Sequence, residues 1–255
     1  MNSITAKTGW TWIVKGYGIF RKRPFLLTNI FFAYMIGLML LGVFPFIGQI
    51  LPLLVAPVFT FFFMETCYRI DADKYVSFRD LFNVFNRQIF SRLLLLGSIY
   101  LLYTLLLFVI AIAIDGGLLL GAVTQPAPQE LTSSQQITMI LTFFLMIALY
   151  IPFAMAVWYA APLIGWQKMS IGKAIFFSFF AVMRTIKPFL VYVFCWLVIG
   201  LALPVVLGSI LILLMGGQQL AMFVLMILSV VVSILAYCSF YPTYKDVFGQ
   251  PDADN

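Results

Sequence analysis

The side chains best suited to moving protons are two acids near the ends of apolar stretches, Glu65 and Asp115. An enzyme buried in hydrocarbon needs paired acids, a serine beside a base, or a set of His and carboxylate metal ligands. The chain contains no histidine, and Cys67, Cys195 and Cys238 stand far apart without zinc-ligand spacing. No serine sits in a nucleophile elbow, and no glycine loop has phosphate-binding spacing. Neither acid has a catalytic partner in view. Glu65 reads as one half of an interfacial ion pair with Arg23 or its neighbour Arg21, a tether between spans rather than a proton relay. Asp115, followed by Gly116 and Gly117, reads as an exit turn. These residues predict a non-enzymatic protein with no cofactor and no metal.

The elements that carry these residues are set by composition. Hydrophobic residues make up 64% of the chain and charged residues only 9%, with a mean hydropathy of +1.07. So little polar surface cannot cover a soluble fold, which makes the chain an integral membrane protein. A crossing helix needs roughly 20 apolar residues to span about 30 Å of hydrocarbon. Stretches at 25–44, 47–64, 93–114, 137–160, 189–214 and 220–240 qualify.

Threading these six spans puts all fifteen Lys and Arg residues on one side. Lys7, Lys15, Arg21, Lys22 and Arg23 precede span one; Arg69, Lys74, Arg79, Arg87 and Arg92 join spans two and three. Lys168, Lys173, Arg184 and Lys187 join spans four and five, and Lys245 follows span six. The opposite connections carry Asp115 and Glu130 but no cation. Cytoplasmic loops retain Lys and Arg during insertion, so both termini are predicted to be cytoplasmic. The basic opening leads into a full-length span, so span one is expected to be a retained signal anchor. The cysteines lie toward the cationic side, where a structural disulfide is not expected.

Each outward-going span is preceded by a segment patterned like an interfacial helix. In the first, Trp10, Ile13, Val14, Tyr17 and Phe20 form a stripe beside Thr11, Lys15 and Arg21. In the second, Ser77 is a candidate cap, with Phe78, Leu81, Phe82, Phe85 and Ile89 at helical spacing. In the third, Ser170 is a candidate cap for a helix through Arg184, whose Phe176, Phe177, Phe179 and Phe180 predict burial against other helices. The predicted fold class is therefore all-α and polytopic. It has six transmembrane helices in three helical hairpins, each hairpin preceded by a cytoplasmic interfacial amphipathic helix. Residues 1–255 form a single integral membrane domain, with candidate repeat units 8–70, 75–164 and 168–248.

Pro52, Pro57, Pro152 and Pro204 fall inside spans, where the missing N–H and displaced carbonyl predict kinks. Trp10, Trp12, Trp158, Trp166 and Trp196 concentrate toward the cationic side and predict mainly an anchoring belt. The proline-containing stretch from Val123 to Gln136 reads as an exterior loop.

The chain resembles a group of uncharacterised bacterial six-helix inner-membrane proteins, related to the YciC-like family and to the membrane domain of glycerophosphodiester phosphodiesterases. The likeness rests on Trp10 to Trp12 before Gly16 and Phe20, and on the entry formed by Arg23, Pro24 and Phe25. It rests also on the segment from Ser77 to Phe85 and the closing Tyr241, Pro242, Tyr244, Asp246, Val247 and Phe248. It covers most of the chain but carries no catalytic signature, so phosphodiesterase activity is not implied. What it implies is a bacterial inner (cytoplasmic) membrane location.

The leading expectation is a membrane protein supporting envelope or lipid homeostasis by binding lipid or protein. Candidate anionic-lipid or partner contacts are Arg21, Lys22, Arg23, Arg79, Arg87, Lys173, Arg184 and Lys187. The expected partners are membrane lipids, anionic ones included, with a second membrane protein or another copy of the chain as further candidates; nothing points to nucleic acid. The alternative is a small transporter or permease for a lipidic or apolar solute, using the kinked spans.

Overall fold

The computed structural model describes residues 5–44, 47–76, 81, 84, 86–124, 132–215 and 218–251. Among these the regular structure is entirely helical. In chain order the helices are α1 (Thr8–Lys22), α2 (Pro24–Gly42), α3 (Ile47–Asp71), α4 (Arg87–Asp115), α5 (Leu118–Thr124) and α6 (Ser133–Val157). They continue with α7 (Ala160–Gly165), α8 (Ile171–Arg184), α9 (Ile186–Leu197), α10 (Leu203–Met215) and α11 (Gln218–Phe248). Six candidate spans are long and apolar enough to cross a membrane: Pro24–Gly42, Ile50–Asp71, Arg87–Asp115, Ser133–Gly165, Ile186–Leu213 and Gln219–Phe248.

Several helices run past the apolar stretches that seed them. α11 has 31 residues, about 46 Å at 1.5 Å per residue, against about 30 Å of hydrocarbon. Its extra turns carry Tyr241, Lys245 and Asp246 into the network at the charged end. α4 likewise begins at Arg87, six residues before the apolar stretch read from sequence, because Asn86 caps it by accepting from the backbone N–H of Ile89 at 2.8 Å. That cap corrects the reading of Ile89 as part of the preceding amphipathic segment. Ile89 is buried on α4, and Asn86 breaks any continuous helix from 78 to 89 with an extended ψ of 159°. Leu81 is buried; Ser77, Phe78, Arg79, Phe82 and Phe85 lie outside the described residues.

α1 packs along α11 and α9, α3 packs on α2 and α4, and α6 packs on α4 and α8. Close approach is set by small residues, as in other membrane bundles. A Cβ on Gly16 would strike the backbone of Ser239, and one on Gly97 the backbone of Leu54. Contrary to the sequence expectation, α8 does not bury its phenylalanines. Phe176, Phe177 and Phe180 are exposed, while Ala174, Ser178 and Val182, spaced one turn apart, form its packed face. The physical reason is solvent: against lipid, large apolar rings lose nothing by facing outward, and small residues let the backbones close up.

Span five contains the irregularity its proline predicts. Val198–Ala202 forms a π turn between α9 and α10, ending two residues before Pro204. Pro204 lacks an N–H and its ring would clash with the carbonyl four residues back, so a locally widened turn relieves the contact. Span four breaks between α6 and α7, where Tyr159 adopts a non-helical conformation.

Candidate functional site: a charged end with unpaired cations

The helix ends carrying Glu65, Asp71, Asp73 and Asp246 converge into one network. Lys15 of α1 bridges Asp246 of α11 at 2.8 Å, and the Trp12 indole N–H donates to the same carboxylate at 2.9 Å. Lys245 bridges Asp71 at 2.6 Å, and the hydroxyl of Tyr241 also donates to Asp71. Lys22 bridges Asp73 at 2.9 Å. Asp73 itself takes a left-handed conformation, φ 52°, in the turn that ends α3.

Glu65 corrects the sequence reading. Its carboxylate takes Arg69, one helical turn away, at 2.7 Å, and the indole N–H of Trp166 at 2.7 Å, in place of Arg23. The i, i+4 partner lies on the same face of α3, and an indole N–H needs an acceptor when buried, so both oxygens are filled without reaching across to α2. Across the bundle, the guanidinium of Arg92 donates to the carbonyls of Lys168 and Met169, at 2.9 and 3.3 Å, in the turn between α7 and α8.

The ion pairs set four cations apart from a group that stays exposed. Lys15, Lys22, Arg69 and Lys245 neutralise the acids. Arg23, Arg87, Lys173, Arg184 and Lys187 are exposed and make no ion pair among the described residues. Arg21 is also exposed and lies over the ring of Tyr17, 5.8 Å from its centroid. Of the candidate contacts, Lys22 is thus already committed to Asp73 and Arg79 lies outside the described residues. The rest remain available to an external anion.

One place gathers positive charge into a concavity. Lys22, Arg23, Ile70, Asp73 and Lys74 line a cleft of about 270 Å³ where α1 turns into α2 beside the end of α3. Arg23 is the N-cap of α2 and offers no side-chain cap, with Pro24 following. The positive end of the α2 dipole therefore points toward the cleft. Lys74 leans on Tyr68, donating to its hydroxyl at 3.1 Å. With Lys22 paired to Asp73, the cleft keeps a net positive charge from Arg23 and Lys74, which favours an anion there.

The tryptophans depart from the anchoring belt expected of them. Trp12 is fully buried and Trp166 nearly so. Trp12, Trp166 and Trp196 donate respectively to Asp246, Glu65 and Ser239, each on another helix. Around Trp166 the rings of Phe61, Tyr68, Tyr241 and Tyr244 pack within 4.7–6.2 Å. Only Trp10, at 53% exposure, keeps the surface position. Asp115 is buried and holds the turn after α4, accepting from the N–H groups of Gly117 at 2.8 Å and Leu119 at 3.0 Å. The buried side chains of Cys67 and Cys238 meet between α3 and α11, a juxtaposition that their separation in sequence conceals.

A probable inner membrane protein of Burkholderia thailandensis is 32% identical to this chain over 251 residues, covering 96% of the chain and 93% of that protein. No family model matches the chain, and no solved structure matches it.

Proposed function

The chain belongs to the same family as the probable inner membrane protein of Burkholderia thailandensis, and from that premise we propose that it is a non-enzymatic binder of anionic lipid that supports envelope or lipid homeostasis. The observation that carries this reading is the division of the cations. The acids at the charged end are taken up by Lys15, Lys22, Arg69 and Lys245, so the surplus charge falls on Arg21, Arg23, Arg87, Lys173, Arg184 and Lys187. Each exposed cation near an anionic surface contributes on the order of 1 kcal/mol, reduced by salt.

The reading puts both termini and the charged end on the cytoplasmic side, by the positive-inside principle. In it α1 and α8 lie along the inner interface and introduce hairpins of spans. Kinship with the YciC-like family and with the phosphodiesterase membrane domain belongs to the same proposal, resting on the residues of the Arg23, Pro24 and Phe25 entry and the Tyr241 to Phe248 close. A membrane-protein partner could use the same unpaired cations.

The test is lipid enrichment in nanodiscs of mixed phosphatidylethanolamine and phosphatidylglycerol. Wild-type protein is expected to retain phosphatidylglycerol through purification. A variant carrying R23Q, K173Q, R184Q and K187Q is expected to lose most of that enrichment while inserting normally. Unchanged enrichment in the inserted variant overturns the reading.

The alternative, a small transporter or permease for a lipidic or apolar solute, draws on the π turn at Val198–Ala202, since irregular helix at membrane depth is tolerated where it borders a cavity. Saturable flux into liposomes supports it, and flux no greater than in empty liposomes counts against it.

A further inference from the structure

A second concavity lies away from the charged end and shares no residue with the basic cleft. It has a volume of about 530 Å³ and opens between α3, α4, α6, α9 and α11, within the range of about 300–1,000 Å³ typical of small-molecule sites. Counting residues at 1.5 Å each places it inside the apolar belt. Thr60 lies on the order of 13 Å below Arg69, Tyr100 on the order of 12 Å below Arg92, and Tyr192 on the order of 7 Å below Lys187. Tyr150 and Leu197 line it and are each about half exposed, so its mouth faces sideways between α6 and α9. The backbone is irregular at both lips. Trp158 ends α6 at the break in span four, and Leu197 immediately precedes the π turn.

The walls are aromatic and uncharged, and their polar groups are only partly satisfied. Tyr192 and Trp196 both hydrogen-bond Ser239, and Tyr100 reaches the carbonyl of Val157. The hydroxyls of Thr60, Tyr150 and Tyr237, which also line the space, make no hydrogen bond among the described residues. A hydroxyl left unpaired in hydrocarbon costs several kcal/mol relative to water, so the arrangement favours an occupant that brings hydrogen-bonding oxygens with it. No Lys, Arg, Asp or Glu lines the cavity, so a charged head would enter unneutralised.

We propose that this cavity is a binding site for an uncharged, single-chain lipid bearing a hydroxyl or ester group, of the class of monoacylglycerols and long-chain alcohols. The chain enters from the half of the bilayer nearer the charged end, between α6 and α9, and packs on the rings. Its oxygens exchange hydrogen bonds with Thr60, Tyr150 and Tyr237. This goes beyond the headgroup reading and does not depend on it.

The experiment uses full-length protein in phosphatidylcholine nanodiscs with a photoactivatable monoolein analogue, the labelled residues being mapped by mass spectrometry. Label is expected on the cavity walls and is expected to be competed by unlabelled monoolein but not by added phosphatidylcholine. A236F, which fills the floor, is expected to reduce labelling at least tenfold. Should A236F fail to fold, A154F fills the space from α6 and serves the same purpose. T60V with Y237F keeps the shape and removes two hydroxyls, and is expected to weaken competition by monoolein about tenfold. If a photoactivatable phosphatidylcholine labels the same residues in proportion to its abundance, or if the filled variants label as wild type does, the space holds ordinary bilayer lipid and the proposal is overturned. Loss of phosphatidylglycerol enrichment in the cation variant leaves monoolein labelling unchanged, which keeps the two readings separable.

Discussion

The indole N–H of Trp166 donates to Oε2 of Glu65 at 2.7 Å, joining α7 to α3 across 101 residues of sequence. Glu65 is 1% exposed, and its other oxygen is held by Arg69. Removing one partner of a buried charge leaves that charge uncompensated, which costs more than the pair contributes. R69A is therefore expected to destabilise by about 3–5 kcal/mol, and W166F by about 1–3 kcal/mol through loss of one hydrogen bond to a charged group. Thermal unfolding in detergent measures both. An R69A loss smaller than that of W166F would show that the carboxylate relies on the indole rather than the guanidinium.

Ser178 of α8 repairs the break in span four. Its hydroxyl accepts from the backbone N–H of Tyr159 at 2.9 Å and donates to the carbonyl of Met155 at 2.8 Å, two groups that a continuous helix would have satisfied. S178A leaves both without their partner and is expected to cost about 2 kcal/mol. S209A is the control, since the Ser209 hydroxyl only bonds back to Val205 on an exposed face, and its effect is expected to stay within about 0.5 kcal/mol. Equal shifts in melting temperature for the two variants would count against this role for Ser178.

Hydropathy located the six candidate spans, because crossing about 30 Å of lipid demands apolar runs that few other contexts tolerate. It could not find where helices end. The extension of α11 through Asp246 and the Asn86 cap of α4 depend on polar residues whose partners are distant or local hydrogen bonds, not on apolar periodicity. The site followed the same division. The loops name the candidate cations, whereas which of them are neutralised was not legible. Asp246 meets Lys15 across 231 residues, and no spacing encodes that. Trp12 and Trp166 misled for a related reason, since an indole fits equally well at a membrane interface and in a buried hydrogen bond.

Side-specific labelling checks the orientation. In a cysteine-free background, K7C and Q250C are expected to react with a membrane-impermeant maleimide only from the cytoplasmic side, and T132C only from the opposite side; all three positions are exposed. An even number of spans requires the first two to agree. Reaction of K7C and T132C from the same side would remove the six-span threading, and with it the assignment of the unpaired cations to the inner leaflet.

Two glycines on α1 separate packing from propensity. Gly16 is buried with Ser239 of α11 directly behind it, so a methyl group there meets backbone, which cannot rotate away. Gly18, two residues on, has open space where its Cβ would go. Helix propensity alone would make alanine favourable at both positions by up to about 1 kcal/mol. Packing reverses the sign at one of them: G16A must push α1 off α11 and is expected to destabilise by about 1–3 kcal/mol, while G18A is expected to be neutral or stabilising. The displacement would also strain the two contacts made just before Gly16 on the same helix, Trp12 and Lys15 to Asp246. A red shift in tryptophan emission should therefore accompany the G16A loss and be absent from G18A. A stabilised G16A would mean that α1 does not lie against α11 at this depth, and that the Asp246 partners are held by something other than this close approach.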